Sequence, residues 1–156
     1  DYKHLIKLKD VTNSADGLST YTIDISDISF ADYAQVFIDV LGISGHKDAT
    51  SFDLYFNGDA TTRNVYWRLG QDYGDTCTMG HLFANAAGTT NPTWADRITM
   101  QVGKQGKRLL RTITSDGCGR HDTLTYAELQ TMHLKAPAAT SITINSGTRV
   151  VIWGEK

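Results

Sequence analysis

The 156-residue sequence has only two cysteines and two prolines, and its charges nearly cancel, with 15 Lys and Arg against 17 Asp and Glu. Two cysteines allow one disulfide and exclude a disulfide-built scaffold. Cys77 and Cys118 both sit in Gly/Asp/Thr-rich segments, DYGDTCTMG and SDGCGRHD. Nothing in the residues establishes an oxidising compartment, so the reading favours free thiols over a bridge. A formal charge of -2 removes any general reason to expect a nucleic-acid or acidic-membrane partner. The apolar runs are far too short to cross a bilayer. Lys3, Lys7 and Lys9 interrupt Leu5, Ile6 and Leu8, which is not the pattern of a signal peptide. The first residue is Asp1 and not Met, as expected of a processed chain, a cut domain or part of something longer.

Motifs for covalent chemistry are also missing. There is no GxSxG elbow, P-loop, HExxH or CxxC. His4, His46, His81, His121 and His133 are scattered, with no pair at metal-ligand spacing. His121 and Asp122 near Cys118 suggest a Cys/His arrangement, but nucleophilic catalysis needs such groups held by rigid elements, and this segment reads as a Gly-flanked polar loop. Asp72, Asp75 and Asn85 could offer oxygen ligands to a hard cation. Their spacing is not that of a calcium loop, and turn-stabilising Asp and Asn side chains explain them better. The residues imply no cofactor and no metal.

What the sequence does contain is alternation. In Ser51 to Gly70, Phe52, Leu54 and Phe56 alternate with Asp53, Tyr55 and Asn57, and after a turn-rich interruption Val65, Trp67 and Leu69 alternate with Asn64, Tyr66 and Arg68. Period two puts one set on a buried face of a strand, and the pattern predicts two antiparallel strands joined by an extended loop. Strands are also expected over Lys3 to Val11, Thr20 to Ser26, Trp94 to Val102, Lys107 to Thr114, Ser141 to Asn145 and Arg149 to Trp153. Gln35 to Ile43, QVFIDVLGI, reads as a central strand or a short helix, and its β-branched content favours the strand. Leu82 to Ala84 reads as a short strand, Ser115 to Asp122 as a polar loop, and Leu124 to Leu134 as either a short helix or a strand. Roughly ten short strands without strand–helix alternation predict an all-β, single-domain antiparallel β-sandwich or jelly roll. Phe52, Leu54, Phe56, Val65, Trp67, Leu69, Ile98, Met100, Ile142 and Ile144 are the expected core.

Four segments, QVFIDVLGISG, SFDLYFNGDATTRNVY, ITMQVGKQGKRLLRTITS and SITINSGTRVVIWGEK, together resemble the C-terminal β-sandwich domains of bacteriophage virion proteins, the minor structural proteins of tails, baseplates and fibres. The resemblance runs from about Ala31 to Lys156. It is carried by Phe56-Asn57-Gly58-Asp59 with Tyr66, and by Ile142, Ile144, Gly147, Trp153 and Gly154. The closing turn has Gly-Thr where that family favours Gly-Ser, and Trp where Tyr is commoner. The resemblance implies a non-enzymatic part of a virion, working in assembly, host-surface attachment or both. Its partners would be other virion proteins and a host cell-surface glycan, and the working form a homo-oligomer, with a trimer favoured.

Aromatic residues are the leading candidates for ligand contact. Saccharide recognition by β-sandwiches sets an exposed ring against the apolar face of a sugar, with polar side chains for the hydroxyls. The loops Asn57 to Arg63 and Tyr73 to Trp94 concentrate such residues, so Asn57, Asp59, Arg63, Tyr73 and Trp94 are the candidate ligand-binding set. Asn57 and Asp59 also suit the ordering of their own turn. Trp67 and Trp153 are expected in the core. Arg63, Arg97, Arg108, Arg111 and Arg120 offer donors for carboxylate-bearing glycans, although most read as ordinary surface charges. The alternative function is a carbohydrate-binding module of a secreted glycoside hydrolase, and a third is a hydrolase with a loop-borne site.

Overall fold

The computed structural model describes residues 4–45, 51–58, 64–68, 71–72, 80–83, 93–102, 109–113, 117–136 and 142–156. Among these residues twelve strands run in chain order as β1 (Leu5–Thr12), β2 (Thr20–Asp24), β3 (Gln35–Ile43), β4 (Ser51–Phe56), β5 (Asn64–Arg68), β6 (Gln71–Asp72), β7 (Gly80–Phe83), β8 (Thr93–Met100), β9 (Leu109–Ile113), β10 (Gly117–Thr125), β11 (Thr131–Lys135) and β12 (Arg149–Glu155). They form an eight-stranded sheet, ordered β1-β12-β3-β8-β9-β10-β5-β6, and a four-stranded sheet, ordered β2-β11-β4-β7. The described pairings are antiparallel. The fold is an antiparallel β-sandwich. Among the described residues no helix is long and apolar enough to cross a membrane.

The core follows the alternation. Ile23, Phe52, Leu54, Phe56, Met132 and Leu134 from the small sheet meet Val36, Ile38, Val40, Ile98, Met100, Val150 and Ile152 from the large one. Phe52 and Trp94 stack across the two sheets, with ring centroids 4.9 Å apart and planes at 17°. Two short 3-10 turns, Phe30–Asp32 and Tyr126–Glu128, pack on each other and carry the buried Phe30 and Tyr126. Thr125 and Glu128 form a capping box on the second, with Glu128 Oε2 accepting from Thr125 N at 2.8 Å.

The two strands predicted from Ser51 to Gly70 exist, but they do not pair. β4 lies between β11 and β7 in the small sheet, while β5 lies between β10 and β6 in the large one. Alternation reports which face of a strand is buried and carries no information on its neighbour. Phe52, Leu54 and Phe56 are buried as expected; the side chains of Val65 and Trp67, and Leu69, lie outside the described residues. The helix-or-strand segment divides into the end of β10, the second 3-10 turn and β11. Tyr126, Leu129 and Met132 are all buried, so their three-residue spacing is real, although it spans a turn and a strand. The predicted loop at Ser115 to Asp122 is largely strand: β10 pairs with β9 on one side and β5 on the other. Backbone hydrogen bonding on both edges sustains it despite the Gly-rich composition. Cys118 in β10 is an exposed free thiol, and Cys77 lies outside the described residues.

One end of the large sheet is locked by a side-chain network. Asn13 Nδ2 donates to the Ala15 and Asn145 carbonyls at 2.7 and 3.1 Å, and Ile43 N donates to Thr148 Oγ1 at 3.0 Å. The turn before β12 places Gly147 at φ 93°, a left-handed conformation that suits glycine. Together these contacts fix the ends of β1, β3 and β12, the three strands that carry much of the outer face described next.

Candidate functional site

β3 lies between β12 and β8, so its outward residues have neighbours on both sides. Val36, Ile38 and Val40 point into the core, which turns Phe37, Asp39 and Leu41 outward. The register sets Phe37 between Trp153 and Thr99, Asp39 between Val151 and Arg97, and Leu41 between Arg149 and Ala95. β1 extends this patch, with Lys7 opposite Trp153 and Asp10 opposite Val151.

Asp39 is the centre. Its carboxylate accepts from Arg97 Nε at 2.6 Å and Nη2 at 2.9 Å, a bidentate pair, and from Trp153 Nε1 at 3.1 Å. Arg97 in turn lies over the Phe37 ring, 5.2 Å from its centroid. A second bidentate pair joins Arg149 to Asp10, with Nε to Oδ1 at 2.8 Å and Nη2 to Oδ2 at 2.6 Å. Lys7 Nζ donates to Asp10 at 3.1 Å and stands 5.6 Å from the centroid of Trp153. Arg149 and Lys7 hold the Asp10 carboxyl well below the usual carboxylate range, and Asp39 raises Arg97 above its ordinary value. An open depression of about 520 Å³ lies here, lined by Asp39, Leu41, Ala95, Asp96, Arg97, Arg149, Val151 and Trp153. Leu41 is 44% exposed although it is a large aliphatic side chain. The face thus joins an indole, two ordered ion pairs and an exposed aliphatic surface.

The candidate set read from the sequence falls elsewhere. Trp94 belongs to the core: it is buried, stacked on Phe52, and donates its Nε1 proton to Ser44 Oγ at 3.0 Å. Its ring is therefore not presented to a ligand. The cause is its phase in β8, since Trp94 shares the inward side with Ile98 and Met100. Asn57 is exposed but committed to structure. Its Nδ2 donates to the Glu128 carbonyl at 2.7 Å, and its Oδ1 accepts from Gln130 N at 2.7 Å and Thr131 N at 3.2 Å. These bonds and a φ of 55° make it the fastener of its own turn. Asp59, Arg63 and Tyr73 lie outside the described residues. Trp153, expected in the core, is half-buried on the outer face with its indole nitrogen on Asp39. The signal that could have found this face was present in the sequence. Once Val36, Ile38 and Val40 are inward, an aspartate between Phe37 and Leu41 faces out from a central strand.

The outer face of the small sheet carries another aromatic pair, Tyr55 and His133, stacked at 4.6 Å and 3°. Nε2 of His133 accepts from Gly58 N at 3.1 Å, so Nδ1 carries the proton and shares a 2.9 Å bond with Thr22 Oγ1. Burial holds this imidazole below its ordinary pKa. Its polar atoms are occupied within the sheet. Among the described residues no cluster of three His, Cys, Asp or Glu side chains is arranged to hold a metal.

No protein-family model matches the chain, and no curated protein matches it. Solved structures do. The carbohydrate-binding module CBM40 of the Ruminococcus gnavus IT-sialidase, bound to α2,6-sialyllactose, is similar over 94% of this chain and 90% of its own, at 10% identity and a TM-score of 0.37. The Caenorhabditis elegans galectin LEC-6 is similar over 94% and 95%, at 6% identity and a TM-score of 0.38. An exo-inulinase from Aspergillus awamori is similar over 96% of this chain but 29% of its own, at 8% identity and a TM-score of 0.42. The likeness is one of fold alone.

Proposed function

We propose that this chain is a carbohydrate-binding domain without covalent chemistry of its own, and that its site is the outer face of the large sheet around Trp153, Asp39 and Arg97. The observation that carries the reading is the indole of Trp153 beside a bidentate Arg97–Asp39 pair in an open depression. A sugar needs those two things: an apolar surface for its C–H face, and fixed donors and acceptors for its hydroxyls. Lys7 rests over the indole in the free protein at 5.6 Å; displacing an exposed cation from a ring costs about 0.5–1 kcal/mol, less than a stacked sugar returns. Asp39 and Asp10 are each bound by cationic side chains. Arg149 and Lys7 hold the Asp10 carboxyl well below the usual carboxylate range, the opposite of what a general acid for glycoside cleavage requires.

A single site of this kind is weak. Stacking contributes on the order of 1–2 kcal/mol and each hydroxyl bond about 0.5–1.5 kcal/mol, which corresponds to roughly millimolar to high-micromolar affinity. Such affinity becomes useful by tethering to a partner activity or by repetition in an oligomer. The first setting is a module of a secreted glycoside hydrolase. The second, supported by the sequence resemblance, is host attachment by a phage tail, baseplate or fibre, with other virion proteins as partners and a trimer as the working form. Light scattering on the purified chain separates them, a monomer fitting the first and a trimer the second. The test of the reading itself is Trp153→Ala, assayed on a glycan array and by titration calorimetry. Binding should weaken about tenfold or more, the equivalent of losing one stacked ring. A variant that binds like the parent would place the site elsewhere.

A further inference from the structure

Accepting that this face binds sugar, we infer that its ligand is a neutral pyranoside presenting two adjacent hydroxyls, and that the face discriminates against sialylated, uronic-acid and sulfated glycans. The inference rests on how the charges are used. The lining of the depression holds two carboxylates, Asp39 and Asp96, and two guanidiniums, Arg97 and Arg149. The ion-paired neighbours Asp10 and Lys7 add one charge of each sign. Each guanidinium already has a carboxylate across its fork, Asp39 on Arg97 and Asp10 on Arg149.

Asp39 fixes the detail. A carboxylate has about four lone-pair sites, and three are taken by Arg97 Nε, Arg97 Nη2 and Trp153 Nε1. About one acceptor site is left, enough for one sugar hydroxyl. Arg97 has about five N–H donors, of which two go to Asp39. The others can donate to the oxygen of the neighbouring hydroxyl. One hydroxyl that donates and one that accepts, side by side, is the signature of a vicinal diol lying across the pair. A ligand carboxylate meets a different surface. To reach Arg97 bidentately it must take the place of Asp39, which lies in the middle of the sheet on a central strand and cannot move away. Otherwise it must sit beside the Asp39 charge, where like-charge repulsion opposes it. Arg149 is closed to anions in the same way by Asp10. The arginines that the sequence offers as receptors for acidic glycans thus act, at Arg97 and Arg149, as the partners of built-in carboxylates.

The test uses the whole chain on an array of neutral glycans alongside their sialylated, uronate and sulfated counterparts, followed by calorimetry on the best pair. Neutral ligands should bind at least about tenfold more tightly than their acidic counterparts. Their affinity should stay within about twofold between about 50 and 500 mM salt, because no net charge is neutralised on binding. Asp39→Asn keeps the shape and the acceptor for Trp153 but uncovers Arg97. It should weaken the neutral ligand several-fold and strengthen the acidic one about tenfold, with new salt dependence. Should Asp39→Asn fail to fold, Arg97→Gln serves: it should lose neutral binding without gaining acidic binding. An acidic glycan that binds the parent best, through Trp153 and with affinity falling in salt, overturns this inference and leaves sugar binding in place. An array on which no glycan binds overturns both.

Discussion

Gly42 and Trp94 face each other across β3 and β8, and their relationship allows a sharp test of the core. A Cβ placed on Gly42 would fall inside contact distance of Cε2, Cζ2 and Nε1 of Trp94. The indole cannot yield easily. Phe52 stacks on it at 4.9 Å, and Ser44 Oγ holds its nitrogen at 3.0 Å. Gly42→Ala must therefore displace the ring. Overpacking costs about 1–3 kcal/mol. Loss of the stacked pair adds about 0.5–1.5 kcal/mol, and loss of the indole hydrogen bond a similar amount. The expected destabilisation is about 2–6 kcal/mol, read from urea melts followed by tryptophan fluorescence, with the near-UV circular dichroism of the indole altered. Trp94→Ala alone should cost about 3–5 kcal/mol. Because the methyl group added at position 42 then has room, the double variant should cost no more than Trp94→Ala. A Gly42→Ala protein within about 0.5 kcal/mol of the parent, or strictly additive costs in the double variant, would refute the packing described for this position.

Leu54 is fully buried opposite Leu134, and Leu54→Ala should lose about 2–5 kcal/mol in denaturant melts, the transfer term plus the cavity; a loss under about 0.5 kcal/mol would contradict its place in the core. His133 is held below its ordinary pKa by burial, so the unfolded chain takes up its proton first as pH falls. Its contribution to stability should be complete above the ordinary histidine value, about 6.5. It should diminish as pH falls from there through the depressed folded value. His133→Phe should flatten that part of a melting-temperature profile relative to the parent, and parallel profiles would disprove the assignment. Cys118 is an exposed free thiol, so native protein should react with a thiol reagent at this residue without denaturant or reductant; a Cys118 that becomes reactive only after reduction would show it to be bridged.

The fold class was legible because a half-buried strand writes its burial into every second residue. Phe52, Leu54 and Phe56, or Ile98 and Met100, needed no structure to be placed inside. Pairing was not legible. β4 and β5 adjoin in sequence and lie in different sheets, since a strand's hydrogen-bond partners leave no trace in its own side-chain pattern. The proposed binding face was half legible. The phase of β3 put Asp39 on the outside, but the bidentate partner came from β8 and the indole from β12, both far away in sequence. Trp94 and Trp153 were exchanged for the same reason. A tryptophan after a turn looks exposed and one inside an apolar run looks buried, until strand phase decides.

The insertion of β12 between β1 and β3 has a kinetic consequence. Leu5 pairs with Glu155, and Trp153 lies between Lys7 and Phe37. Every residue from Leu5 to Glu155 must therefore be made before this part of the large sheet can close. Contacts so distant in sequence carry a large loop-closure entropy and fold slowly, in milliseconds to seconds for sandwiches of this kind. Until β12 arrives, β3 shows an unpaired edge with Val36, Ile38 and Val40 beside it, the sort of surface through which nascent chains aggregate. The same step brings Trp153 to Asp39. In a refolding experiment, gain of sugar binding at the proposed face should coincide with the slowest phase of sheet formation, so the chain would complete that face and lose its most adhesive edge together.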